Sequence, residues 1–182
     1  AQDAFANESQ LKAHQATQAK KFENEIVPLE DVNGDWMTTD EGIRGNSSVE
    51  KLSTLKTIFK EDGTVTGGNA SSINDGASTI ILMDEVYAKE NGFEILAFVG
   101  AHAEIGCDPE LMGYAPYHAV TKLLNQADKA IEDFDVVEMT EAFAAQSIPV
   151  SKNLGIAEEQ LNLYGGAFAL GHPIGASGTR LV

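Results

Sequence analysis

Three features of the sequence predict a layered α/β fold. Segments patterned as strands and as helices alternate along the chain, which is how layered α/β domains are assembled. Of the 182 residues, 43% are hydrophobic and 22% charged, the balance of an ordinary globular domain and not of a disordered or collagen-like chain. A domain of roughly 150 residues buries close to 70% of the surface that its unfolded chain exposes, so a core without disulfide staples is within reach.

Taken in order, residues 3–24 are rich in Ala, Gln, Lys and Glu, contain no Gly or Pro, and carry Phe5, Leu11 and Phe22 among small residues, which predicts a helix. Residues 26–32 alternate weakly and contain Pro28, so a short edge strand is expected there, followed by a loop over residues 33–46. Ser47 and Glu50 spell a capping box, with Val49, Leu52, Leu55 and Phe59 at helical spacing behind it. Gly63, Gly67 and Gly68 end that helix. Residues 78–84 read as a buried strand and residues 85–91 as a helix stopped by Gly92. Strands are then expected at 95–105 and 134–139, and helices at 116–127 and 141–153, the last ending at Gly155.

Charge narrows the function classes. With 12 Lys and Arg against 28 Asp and Glu, the formal net charge is −16, and the longest basic run is Lys20-Lys21. Phosphate neutralisation carries non-specific nucleic-acid affinity, so nucleic acid and anionic membrane surfaces are excluded as expected partners. The apolar runs at 80–83 and 95–99 are far too short to cross a bilayer. Cys107 is the single cysteine, which forbids an intrachain disulfide and fits a reducing, cytoplasmic compartment. The sequence opens at Ala1 with no basic and apolar leader, and is expected to be part of a longer chain.

Several signatures fail on their spacing. Asp31, Asn33 and Asp35 begin like a calcium loop, yet Trp36 stands where glycine must turn and Gly42 where a bidentate glutamate must sit. The glycines of 165–178 form neither G-x-G-x-x-G nor a Gly-Lys-Ser/Thr loop, and there is no H-E-x-x-H or C-x-x-C; no metal site is expected. Asn7, Asn46 and Asn69 lie in sequons that have meaning only on secretion. The strongest local signal is residues 165–178, Gly-Gly-Ala-Phe-Ala-Leu-Gly-His-Pro-Ile-Gly-Ala-Ser-Gly. It sets His172 between Gly171 and Pro173, ahead of small residues able to open a helix. A neutral imidazole near a positive helix end suits developing negative charge; a glycine-rich turn with a surface histidine is the other reading.

Residues 68–77 (Gly-Asn-Ala-Ser-Ser-Ile-Asn-Asp-Gly-Ala), 109–113 (Pro-Glu-Leu-Met-Gly), 141–146 (Glu-Ala-Phe-Ala-Ala-Gln) and 165–178 resemble thiolase motifs in their family order. Residues 2–6 also resemble the thiolase helix that follows the substrate-facing loop segment. The resemblance implies a thiolase-like layered α/β/α fold, incomplete, with most of the N-terminal half and the last part of the C-terminal half absent. Residues 1–72 would be the remainder of the loop domain, 73–92 the last strand and helix of the N-terminal half, and 93–182 an incomplete C-terminal half.

The resemblance further implies acyl transfer between CoA thioesters. The first expectation is acetyl-CoA C-acetyltransferase, joining two acetyl-CoA into acetoacetyl-CoA; the alternatives are a 3-ketoacyl-CoA thiolase of fatty-acid degradation and a non-catalytic CoA-binding thiolase-like protein. The family's nucleophilic cysteine and its second, proton-moving cysteine both fall outside these residues. The 182-residue chain alone is therefore expected to be inactive. Cys107 matches neither position, and between Glu104 and Asp108 it lacks the electropositive setting of a reactive thiol; a small structural residue is expected. His172 matches the Gly-His-Pro histidine that helps activate the nucleophile and donates a hydrogen bond to a thioester oxygen. Thr140 stands where the family has asparagine, either holding the oxyanion-site water with a shorter side chain or capping the helix expected from Glu141. For CoA, Arg44 matches an arginine near the adenine end, with Lys51 as added positive charge. Phe59, Gly67, Ser71, Ile73, Ala142 and Phe143 match the pantetheine channel, and Met112 the acyl pocket. No cofactor is expected beyond the CoA substrates, and the whole enzyme would be a homodimer or homotetramer.

Overall fold

The computed structural model describes residues 1–182. The first helix, α1, spans Gln2–Gln18 and stops at Ala19 and Lys20, where Lys20 takes a left-handed φ of 58°; it ends short of the predicted residue 24. Its buried face is Ala6, Ser9, Gln10, Ala13 and Ala16, a stripe at helical spacing. Small and polar side chains make that face, so neighbouring backbone comes close. Phe22 is buried and meets Tyr164 edge to face, with centroids 6.0 Å apart.

The predicted strand at 26–32 contracts to β1, Leu29–Glu30, which pairs antiparallel with β2, Trp36–Met37, inside the stretch expected to be loop. Asp31 closes the turn by accepting the Asn33 and Asp35 amides at 2.8 and 2.9 Å, and those amides hold its carboxyl below the usual aspartate pKa. Helix α2, Val49–Leu52, is capped by Ser48, whose Oγ accepts the Lys51 amide at 3.3 Å. The predicted cap was Ser47. The helix also stops after one turn, because Ser53 and Thr54 turn their hydroxyls onto the carbonyls of Glu50 and Lys51, a local competitor of helix continuation. Helix α3, Glu85–Glu90, begins at an Asp84 cap that accepts two amides and ends before Gly92, as predicted.

A 3₁₀ segment, Pro109–Tyr114, leads into α4, Ala115–Ala127. A second 3₁₀ turn covers Ile131–Asp133, and α5 covers Ala144–Leu154, ending at Gly155. Two short helices, α6 (Ala167–Leu170) and α7 (Ile174–Leu181), complete the chain. No helix is long and apolar enough to cross a membrane.

Helix α1 is the hub, lying against α2, α5 and α6, while α4 lies on α5. One apolar cluster joins Ala6, Ala144 and Phe168; the other joins Met139, Val150 and Leu161. Phe5 packs on both clusters and meets Phe168 edge to face at 6.1 Å. This core is small, with 26 of 182 residues buried.

The strands predicted at 78–84, 95–105 and 134–139 do not form; the third contributes one parallel bridge, Val137 to Leu161. β-patterned residues become a strand only when neighbouring backbone takes up their amides and carbonyls, and these residues hold no such neighbour for 78–84 or 95–105. Apolar side chains meant for a sheet face stand in solvent instead, with Ile81 at 82%, Leu96 at 89% and Val99 at 74% exposure. Cys107, expected as a structural residue, is likewise exposed. Unpaired apolar edges template association. The isolated 182-residue chain is therefore expected to enhance anilinonaphthalene-sulfonate fluorescence and to show concentration-dependent light scattering, both reduced by Ile81→Lys with Leu96→Lys. A monomer that binds no dye would contradict the exposed edges.

Candidate active site

The segments carrying the sequence motifs meet around the start of α5 and the ends of α6 and α7. Thr57 and Thr66 form an antiparallel bridge, and the Ile58 amide donates to Val65 O at 3.1 Å, which sets residues 57–59 beside 65–67. Asn69, almost fully buried, fixes the following turn: its Oδ1 accepts the Thr66 amide and its Nδ2 donates to Asp3 of α1. Ala70 then bridges to Phe143, with Ser71 N donating to Ala142 O at 2.9 Å and Ala144 N to Asn69 O at 3.0 Å. This pairing takes up the backbone of residues 142–144. Helix α5 therefore starts at Ala144 with Phe143 as its N-cap residue, and Thr140 does not cap it, contrary to one of its two readings.

Phe59, Gly67, Ser71, Ala142 and Phe143 lie on these paired segments. The Phe59 and Phe143 rings meet edge to face at 5.8 Å, and the space where a Cβ on Gly67 would stand is open. Ile73 is 96% exposed and Met112 69% exposed. The 3₁₀ segment that carries Met112 reaches α5 through Gly113, beside the Gln146 side chain. Arg44 joins this ground by its backbone only. Its amide donates to Gln10 Oε1 at 2.6 Å and Gln10 Nε2 donates to Phe168 O at 2.7 Å, which anchors the 42–44 loop to α1 and α6. Its guanidinium is exposed and turned onto the carbonyl of Glu41, and Lys51 Nζ turns onto Asn46 O.

His172 is held at two points. Its amide donates to Asn74 Oδ1 at 3.3 Å, which links the 68–77 motif to the Gly-His-Pro motif. Gly76 passes so close to Pro173 that a Cβ would fall 2.7 Å from the ring, and Ser78 Oγ donates to Ala176 O at 2.7 Å. The imidazole Nδ1 lies 2.7 Å from Ser177 Oγ. Pro173 O already accepts the Ala176 and Ser177 amides at 2.8 and 2.9 Å, closer than Ser177 Oγ at 3.1 Å. Ser177 Oγ also donates to Pro173 O, and its contact with Nδ1 fixes the plane of the ring and leaves Nε2 without a protein partner.

Behind this ground lies a group that the sequence reading treated only as a helix start. Glu141 is 2% exposed. Its Oε2 accepts from Ser9 Oγ at 2.6 Å and from the Phe168 amide at 3.4 Å, and its Oε1 accepts from Asn162 Nδ2 at 2.8 Å. Burial pushes its pKa above the usual glutamate range, opposed by the hydrogen bonds from Ser9 and Asn162. A cavity of ≈ 440 Å³ lined by Phe5, Ser9, Lys12, Glu141 and Asn162 includes neither Thr140, Met112 nor His172. Ser177, Asn74, Ser9 and Asn162 were all missed. The first two lie inside quoted motifs, and their residue types, a hydroxyl and an amide near a histidine, were the available signal.

Two family models cover this chain: thiolase N-terminal domain over residues 1–86 and thiolase C-terminal domain over residues 93–182. The chain belongs to the thiolase family. It is 51% identical over 185 aligned positions to a probable acetyl-CoA acyltransferase of Staphylococcus aureus strains MSSA476 and MW2, across 100% of this chain and 47% of that protein. The Bacillus anthracis acetyl-CoA acetyltransferase structure superposes with a TM-score of 0.94 at 40% identity, over 99% of this chain and 46% of the other. Human mitochondrial 3-ketoacyl-CoA thiolase in complex with CoA superposes at 0.90 and 39% identity, over 99% and 45%. The chain thus spans about half the length of the curated relatives it matches, and its backbone follows an incomplete thiolase fold.

Proposed function

We propose that these residues form part of an acetyl-CoA C-acetyltransferase, which joins two acetyl-CoA into acetoacetyl-CoA and CoA and runs in reverse as a thiolase. The observation that carries this reading is the His172 arrangement, an imidazole with Nδ1 held by Ser177 and Nε2 left without a protein partner, its backbone tied through Asn74 to the 68–77 motif whose Ser71 pairs with Ala142. A cysteine thiolate outside these residues attacks the thioester carbonyl, the oxyanion accepts from His172 and from a water held by Thr140, and CoA leaves as the acyl-enzyme forms. A second cysteine takes the α-proton of the next acetyl-CoA, whose carbon then displaces the acyl group from sulfur. Phe59, Gly67, Ser71, Ile73, Ala142 and Phe143 line the pantetheine path and Met112 the acyl end, with Arg44 near the adenine phosphates. The reaction asks for no cofactor beyond its CoA thioesters. The whole enzyme acts as a cytoplasmic homodimer or homotetramer, a reading that rests on the family and on a single free cysteine.

The likeness to human 3-ketoacyl-CoA thiolase supports a second reading, thiolysis of longer 3-ketoacyl-CoA. Rates on acetoacetyl-CoA and on 3-ketooctanoyl-CoA, compared in the whole protein, separate the two. Acetoacetyl-CoA cleavage, followed by loss of enolate absorbance, is expected for the whole protein and absent from the 182-residue chain. Removing one member of a catalytic unit forfeits most of its rate. Turnover by the 182 residues alone would overturn the assignment and return Cys107 to consideration.

A further inference from the structure

We propose that Glu141 is a positioning residue of this site, a buried carboxylate that fixes Thr140 and His172 relative to one another. The inference rests on the thiolase reading and adds a residue to it.

Two arms meet at the carboxylate. On one side Asn162, in a left-handed conformation with φ 45°, accepts the Met139 amide at 2.7 Å and donates to Met139 O at 3.0 Å while its Nδ2 also reaches Glu141. Asn162 therefore holds the Met139 backbone on one side of Thr140 and the Glu141 side chain on the other. On the other side Glu141 takes up the Phe168 amide directly and the Gly166 amide through Ser9, whose Oγ accepts it at 2.9 Å. Those amides open α6, the helix that runs out at Gly171 immediately before His172. Gly166 leaves no slack, since a Cβ there would stand 2.4 Å from the carboxyl carbon.

Every partner of the carboxylate is a donor: a hydroxyl, a side-chain amide and a backbone amide. A carboxylate accepts at both oxygens. A glutamine accepts at one only, so Glu141→Gln keeps the volume and faces an NH₂ group against donors. The Ser71–Ala142 and Asn69–Ala144 pairing does not pass through the carboxylate, so the pantetheine-lining residues keep their backbone anchor when it is changed. Loss of the carboxylate thus reaches Thr140 and His172 more than it reaches CoA binding.

The test is steady-state thiolysis of acetoacetyl-CoA by the whole protein and by its Glu141→Gln, Ser9→Ala and His172→Ala variants, each checked for folding by circular dichroism and urea denaturation. Glu141→Gln is expected to lower kcat about tenfold or more, since misplacing reacting groups by an ångström can cost on the order of 10²-fold, with KM for CoA within about twofold. Ser9→Ala is expected to give a smaller loss of the same kind, and Glu141→Asp, which keeps two acceptor oxygens, to recover part of kcat. A folded Glu141→Gln enzyme with parental kcat beside an impaired His172→Ala overturns this inference alone; parental kcat in both overturns the role that the proposed function gives His172, and no thiolysis by the parental protein overturns the thiolase activity itself. Should Glu141→Gln fail to fold, folded Ser9→Ala decides, with parental kcat counting against the inference and a kcat loss at constant KM counting for it.

Discussion

In the whole protein, His172→Ala is expected to lower kcat for acetoacetyl-CoA thiolysis by about 10²-fold or more, the loss that follows removal of one preorganised oxyanion donor. The geometry makes preorganisation concrete. Asn74 holds the histidine backbone and Ser177 holds Nδ1, so the ring is in place before substrate arrives. The same bonds explain why stability should change little. His172 is only half-buried, and substitutions of such residues away from core packing are within about 0.5 kcal/mol. Because the hydrogen bond strengthens as charge develops, kcat should fall more than KM rises. Thr140→Ala should be milder, and Thr140→Asn should keep or raise the rate by offering an amide of longer reach. A folded His172→Ala enzyme with parental kcat and KM would reduce the Gly-His-Pro segment to a structural turn.

What the sequence made legible follows from what is local. Helices at 85–90, 115–127 and 144–154 carry their caps and stops within a few residues: Asp84 accepting two amides, Asp128 in a left-handed turn, Gly155 closing α5. Those signals need no partner. The strands at 78–84 and 95–105 were patterned correctly for a sheet, yet a sheet is a relation between segments, and the chain spans under half of the solved thiolases it resembles. Helix α1 is legible as a helix from its composition, but the face it buries is not: Ala6, Ser9, Gln10 and Ala13 serve closeness and hydrogen bonding over apolar area. Small residues carry no periodic hydrophobic signal.

The site divides in the same way. Motif order put His172 in view and the family likeness put Phe59, Gly67, Ser71 and Phe143; the structure pairs the backbone of residues 69–71 with 142–144, sets Phe59 against Phe143, and ties His172 to the 68–77 motif through Asn74. Glu141 was in the quoted motif, but its burial depends on Ser9, Asn162 and Phe168, separated from it by 132, 21 and 27 positions. A carboxylate whose partners are that remote looks like any other helix-start glutamate.

Gly165→Ala is expected to destabilise the protein by about 3 kcal/mol or more, a sum of a left-handed backbone and overpacking. Gly165 has φ +79°, and a Cβ there would stand 2.4 Å from Ser9 O and 2.8 Å from Ala13 N. Both neighbours are backbone atoms of α1, which cannot swing aside as a side-chain tip would, and Ala6 and Ala13 on the same helix are fully buried. Against a typical total of about 5–15 kcal/mol, the loss should appear as a lower urea midpoint. Gly178→Ala is the control. It lies within α7, and its added Cβ meets nothing within 4 Å, so the gain in helix propensity should leave stability unchanged or raise it by about 0.5–1 kcal/mol. A Gly165→Ala protein with a parental midpoint would mean that α1 does not bear on the 165–166 turn. The Ser9 hydroxyl would then be out of reach of the Gly166 amide and of Glu141 alike, and the link from α1 to the start of α6 would be lost with it.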